Sequence, residues 1–166
     1  MPDIKTLYDE DFVAWSKQQA EALRSAARTG SNQLLDWENL AEEIESLGRS
    51  DRRGLASRIA TVIEHFVKLA CSPAREPRQG WRQTIRRERI EIELVLKDSP
   101  SLQREVPEIA SSVAGGAIEL ALEEMDARRE LSRSLQQALK VKKYLDLFIY
   151  TQEQILGDWF PPEPKA

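Results

Sequence analysis

An all-α protein, a compact single-domain bundle of about five to seven helices, is predicted by three features of the chain. Apolar residues recur at steps of three and four over most of its length, the spacing that lines up one face of a helix. The 7 glycines and 8 prolines do not sit among alternating β-branched runs, and no Asn-Gly or Asp-Gly turn joins two such runs, so the hairpin signature is missing. The composition, 41% hydrophobic and 31% charged with a formal net charge of −4, is too apolar for disorder and too charged for a membrane interior. A chain of 166 residues buries roughly 70% of its unfolded surface, so one domain over residues 1–166 needs neither disulfide nor metal to hold it.

The first helix is placed from Asp9, whose side chain can cap free amides, to Arg28, where Thr29-Gly30-Ser31 stops it; Phe12, Trp15, Ala22, Leu23 and Ala26 form its apolar stripe. A second begins at Asp36 with Leu40, Ile44 and Leu47 on one face, and Gly48 is available to end it. The spacing then resumes through Leu55, Ile59, Val62, Phe66 and Leu69, with Ser50 as a possible cap. One long helix and two shorter ones are both compatible with this, because an isolated glycine costs only about 1 kcal/mol in a helix; a break at Gly48-Arg49-Ser50 is preferred. Pro73 and Pro77 lack amide hydrogens and must end the third helix.

A fourth helix over 79–97 carries Trp81, Ile85, Ile92 and Leu96 on its buried edge, and Asp98-Ser99-Pro100 makes a tight turn into the next. There Val106, Ile109, Val113, Ala117 and Leu120 continue the period to about residue 125, with Pro107 and Gly115-Gly116 as expected kinks. Helices over 36–71, 79–97 and 100–125 are expected to form the centre, with residues 9–28 across them. A last helical region holds Leu131, Leu135, Ala138 and Leu139, followed by the apolar knot 144–150 and a short turn capped at Thr151. Residues 161–166, rich in proline, read as an extended, exposed tail.

Two charged rows are the candidate sites. Glu38, Glu42 and Glu45 share one helical face, and Arg78, Arg82, Arg86 and Arg89 form a strip beside Trp81, with Arg87 just off it. Guanidinium forks and an indole can grip phosphates and stack a base, which makes RNA or another polyanion a physical possibility. The preferred account is structural: the two rows, with Asp51, pair with each other across the bundle. A metal centre would need Glu-x-x-His pairs from several helices, and the single histidine, His65, has Val62 three residues before it. Cys71 closes an apolar helix and reads as a buried, inert thiol. No Gly-x-Ser-x-Gly elbow, phosphate loop or dinucleotide-binding glycine pattern occurs. No catalytic residue, metal or cofactor is assigned.

The stretches Leu7-Tyr8-Asp9-Glu10-Asp11-Phe12-Val13-Ala14-Trp15, Asp36-Trp37-Glu38-Asn39-Leu40-Ala41-Glu42-Glu43-Ile44-Glu45-Ser46-Leu47-Gly48 and Gly80-Trp81-Arg82-Gln83-Thr84-Ile85 resemble the bacterial domain-of-unknown-function family twenty-nine. The likeness continues through Leu96-Lys97-Asp98-Ser99-Pro100-Ser101-Leu102 and returns at Tyr150-Thr151-Gln152-Glu153-Gln154-Ile155-Leu156. It implies an all-helical, single-domain bacterial protein and brings no activity or catalytic residue to carry over. The chain departs from the family pattern before Tyr150, where Leu147-Phe148-Ile149 replaces a proline-containing loop.

The function expected is that of a non-catalytic module of the bacterial cytoplasm whose helix faces bind another protein or a second copy. Four tryptophans and strongly amphipathic helices, with no catalytic constellation beside them, favour it. The alternatives are RNA or polyanion binding through the arginine strip and, behind it, a metal-dependent hydrolytic enzyme using Glu38, Glu42 and Glu45 with His65. The start Met1-Pro2-Asp3-Ile4-Lys5 lacks the basic and apolar runs of a secretory signal, and no apolar run approaches the roughly 20 residues that span a bilayer.

Overall fold

The computed structural model describes residues 4–30 and 34–164. Residues 1–3 of the chain start, Ser31 of the expected first stop and the last two residues of the expected tail lie outside them. Helix α1 (Ile4–Glu10) ends before Asp11, and α2 (Phe12–Arg28) begins after it. Asp11 is extended, with φ −157°, and accepts the Ala14 amide at 2.9 Å, so the cap expected at Asp9 falls two residues later. Both aspartates have the chemistry; Asp11 has the further partner. Its carboxylate also accepts the Ser101 amide at 2.6 Å and the Ser101 hydroxyl at 2.9 Å.

Helix α3 (Trp37–Cys71) is continuous, and the break expected at Gly48-Arg49-Ser50 does not occur. The apolar phase nearly persists across the glycine, and Gly48 serves there as a point of close approach. A Cβ at that position would collide with Oγ of Ser16, a fully buried residue of α2. The backbone entropy cost of a helical glycine is offset by the contact it permits. At the start of α3, Asp36 accepts the Asn39 amide at 3.2 Å, and the prolines stop the helix at Cys71 as their missing amides require.

Helix α4 (Arg78–Asp98) is followed by a 3-10 turn (Pro100–Glu105) and α5 (Val106–Ala127), which passes through Gly115-Gly116 without interruption. Pro107 is tolerated because it lies in the first turn, where its amide would have no intrahelical acceptor. Then come α6 (Arg133–Lys140), capped by Ser132, a 3-10 turn (Leu145–Leu147) and α7 (Gln152–Leu156). At Thr151 the expected cap is a full capping box: its hydroxyl accepts the Gln154 amide while the Gln154 side chain accepts the Thr151 amide. Seven α-helices and no strand are present among the described residues, in accord with the predicted all-α class.

Two compact units are distinguished. The first comprises the chain up to Leu55 with Leu94–Glu105, and the second Ala56–Glu93 with the residues from Val106 onward. In the first, Val13, Ser16 and Ala20 are the buried positions of α2, whereas Phe12 and Trp15, expected in the stripe, stack at 5.7 Å with Tyr8 edge-on to both. On α3 the small residues Ala41 and Gly48 face inward, and Leu40 and Leu47 are left 41% and 51% exposed. The tight α2 contact selects small side chains over the leucine stripe. The second unit holds the larger apolar set: Ile59, Val62, Phe66 and Leu69 of α3, Ile85 and Ile92 of α4, and Ile109, Ile118 and Leu122 of α5 are fully buried. Leu120, expected inside, is exposed because Ile118, Ala121 and Leu122 occupy the inner face of α5. The knot at 144–150 is divided: Tyr144 is buried, Phe148 and Tyr150 are half-buried, with Tyr150 5.0 Å from Phe66, and the rest is exposed. The tail is extended as expected, but Pro161 is buried and exposure starts at Pro162.

Candidate functional site

The acidic row finds its partners within its own unit. Arg24 of α2 reaches three carboxylates of α3: Nε lies 3.3 Å from Glu38, and Nη2 lies 3.6 Å from Glu42 and 2.8 Å from Glu45. Arg49 adds an ion pair with Glu42 and a longer one, 3.8 Å, with Glu45. The Arg24 hydrogen bond holds the Glu45 carboxyl below its ordinary pKa, with burial opposing. Cross-pairing with the α4 arginines was expected; the carboxylates are instead joined to Arg24 and Arg49. Arg24 escapes a reading of charge runs because it lies on a different helix from both charged rows.

The arginine strip divides by depth. Arg78 is buried and its two terminal nitrogens donate to the Ser72 and Leu69 carbonyls at 3.2 and 2.9 Å, capping the open end of α3. Arg89 donates to three carbonyls of the chain around α7, those of Ile155, Gln154 and Trp159, at 2.9, 2.7 and 2.6 Å. Burial lowers its pKa, and its guanidinium also lies 5.5 Å from the Phe66 ring. Trp81 is buried and has no open face for a base. Only Arg86 and Arg87 are exposed, with Arg82 half-buried. Most of what reads in sequence as an anion grip is therefore scaffold.

Lys68 belongs to neither charged row. Its side chain is 7% exposed, and its ammonium lies 2.7 Å from Glu64 and 2.5 Å from Glu124 of α5, which also pairs with Arg128 at 2.6 Å. A lysine inside Phe66-Val67-Lys68-Leu69 was the available signal, since a charge within an apolar run must be paired if buried. His65 donates through Nδ1 to the Thr61 carbonyl at 2.8 Å. Cys71 is half-buried, and burial pushes its thiol up to about 11. Among the described residues no three histidine, cysteine or acidic side chains are grouped to hold a metal ion, and no helix is long and apolar enough to cross a membrane.

A concave feature of the second unit is a cavity of about 400 Å³ between α5 and the segment before α7. Pro107, Ala110, Ser111 and Ala114 line one side, Leu145, Phe148, Ile149 and Tyr150 the other, with Ile63 also contributing. Its lip is apolar and open to water: Leu145 is 52% exposed and Ile149 75%. Small residues on α5 make the space, since Ala110 and Ala114 stand one turn apart. Nothing in the sequence marks this groove, because its walls come from segments more than thirty residues apart.

Geometry of this kind defines an all-helical protein whose charged rows are tied into its own scaffold and whose apolar surface is partly left open. Residues 7–160 match the family described as Domain of unknown function DUF29, and the chain belongs to that family. The fold is similar to the crystal structure of an alpha-helical protein of unknown function from Rhodospirillum rubrum, with a TM-score of 0.58 and 22% identity over 90% of this chain and 88% of that one. No curated protein matches the chain.

Proposed function

We propose that this protein is a non-catalytic interaction module of the bacterial cytoplasm, and that it seats apolar side chains of a partner protein in the groove between α5 and residues 145–152. The observation that supports this reading is the lip itself, where Leu145 and Ile149 are 52% and 75% exposed beside an apolar cavity. Contiguous apolar surface around a concavity is costly in water and is characteristic of docking sites. A cavity of this size admits the side chains of a short apolar segment, with small residues at its base to let them enter.

The test places a photo-crosslinking amino acid at Ile149 in the source cells. A discrete protein adduct is expected, and it should vanish when Ala114→Arg fills the groove but persist when the exposed Lys17, in the other unit, is changed to alanine. An adduct containing two copies of this chain identifies self-association; an adduct with a different protein identifies a heterologous partner. Adducts that are indifferent to Ala114→Arg would remove the groove from consideration.

A further inference from the structure

Residues 159–164 meet the arginines of α4 in two different ways. The guanidinium carbons of Arg82, Arg86 and Arg89 stand 6.0, 5.5 and 5.0 Å from the centroid of Phe160. Further along, a single carboxylate oxygen of Glu163 lies 3.4 Å from Nε of Arg78 and 3.6 Å from Nη2 of Arg82. Both separations exceed the about 2.7–2.9 Å of a well-made guanidinium–carboxylate hydrogen bond. Nε of Arg78 is buried and has no hydrogen-bond partner.

That donor is fixed in place. The other two nitrogens of Arg78 are held by the Ser72 and Leu69 carbonyls, and its side chain is only 8% exposed. An N–H in this position carries the desolvation cost of burial without the hydrogen bond that normally offsets it. Glu163, in contrast, is 67% exposed and attached to an extended segment. The scaffold presents a rigid donor, and the acceptor is a loosely held side chain that spans two guanidiniums with one oxygen.

Two guanidiniums share one acid here. Arg78, Arg82 and Arg86 carry three positive charges, and Glu163 is the acid paired with the first two. Arg78 also opens a helix of 21 residues, whose amino end adds a positive field. An untethered dianion can place separate oxygens at hydrogen-bond distance from Arg78 and Arg82, where Glu163 spans both with one oxygen at 3.4 and 3.6 Å. Trp81 is buried and offers no stacking platform, so the match is to a terminal phosphate group and not to a nucleic-acid strand.

We propose that Arg78 and Arg82 form an oxyanion site for a phosphate monoester, and that Glu163 is its displaceable internal occupant. The site lies on α4 and is independent of the groove. An internal ligand that fills a site for about nine-tenths of the time weakens apparent binding about tenfold, so removing its charge restores that factor.

The experiment is calorimetric titration of the full chain at low salt with inorganic phosphate and, separately, with O-phosphoserine. Glu163→Gln is expected to bind about tenfold more tightly than wild type, and adding Arg82→Gln to it should cost at least that factor again. Arg82 is chosen because it is half-buried and caps no helix, whereas replacing Arg78 would strip two carbonyls at the end of α3. Tighter binding of phosphoserine supports a phosphorylated macromolecule as the source of the group, and tighter binding of inorganic phosphate supports the free ion. Equal affinity in wild type and Glu163→Gln, or no binding by Glu163→Gln, overturns the proposal. So does preferential binding of a single-stranded RNA that ignores both substitutions.

Discussion

Asp11 and Ser101, ninety residues apart, are joined by two hydrogen bonds: the Ser101 amide donates to the Asp11 carboxylate at 2.6 Å and the Ser101 hydroxyl at 2.9 Å. The same carboxylate caps α2 through Ala14, so one side chain sets a helix start and ties it to the turn after α4. Replacement by alanine removes a cap and two longer-range bonds at once, and Asp11→Ala is expected to lower unfolding stability by about 2–4 kcal/mol. Asp11→Asn keeps an acceptor and should lose about half as much. Urea denaturation of the two variants beside wild type makes the comparison.

At Gly48 the usual sign of a helix substitution should reverse. Glycine to alanine inside a helix ordinarily stabilises by about 1 kcal/mol. Here the new Cβ meets Ser16 Oγ, which is buried and donates to the Val13 carbonyl at 2.9 Å, so it cannot swing away without losing that bond. Gly48→Ala is expected to destabilise by about 1–2 kcal/mol, and the Ser16→Ala/Gly48→Ala double variant should recover part of it. Thermal melts of the four proteins in the cycle report the coupling; strict additivity would show that the two residues do not meet.

Lys68 makes stability depend on pH from both sides. Burial pulls its pKa down, but hydrogen bonds to Glu124 and Glu64 outweigh this and leave it above its ordinary 10.5. The bond from Lys68 holds Glu124 below its ordinary 4.5. The lowered carboxylate contributes fully above 4.5, and that contribution is lost as pH falls through its folded value. The raised ammonium contributes below 10.5 and is lost as pH climbs through its own folded value. Lys68→Met should lower stability by about 1–3 kcal/mol near neutral pH and flatten the acid limb. Denaturant midpoints across the pH range will show whether the acid limb becomes shallower.

Cys71 should resist alkylation until the protein opens. With burial raising its thiol from 9.0 to about 11, the thiolate fraction at pH 8 falls about a hundredfold. Iodoacetamide labelling followed by intact mass is expected to be slow in buffer and rapid in urea, with native labelling accelerating steadily as pH rises. Rapid native labelling at pH 8 would contradict this burial.

Local punctuation was the legible part of the chain. Thr151 with Gln154 announces a capping box, Pro73 and Pro77 end α3, and the alternation of Ile85 and Ile92 marks the inner edge of α4, all within one or two helical turns of sequence. The choice of partner was not legible. Arg78 and Arg89 satisfy backbone carbonyls, which every residue carries and no residue advertises. Leu40 and Leu47 follow the helical period as well as any core residue, yet the inward positions went to Ala41 and Gly48 because α2 comes close there. Periodicity locates an apolar face but does not say which of two adjacent faces a neighbour will cover.

The three carbonyls gathered by Arg89 impose an order on synthesis. The guanidinium leaves the ribosome with residue 89, but its acceptors at Gln154, Ile155 and Trp159 follow only after some seventy further residues have been added. Throughout that interval none of the three carbonyls is available to the guanidinium, and its contact with Phe66 lacks their support. These contacts of the second unit therefore close only after residues 154–159 have emerged, whatever the intrinsic rate of helix formation.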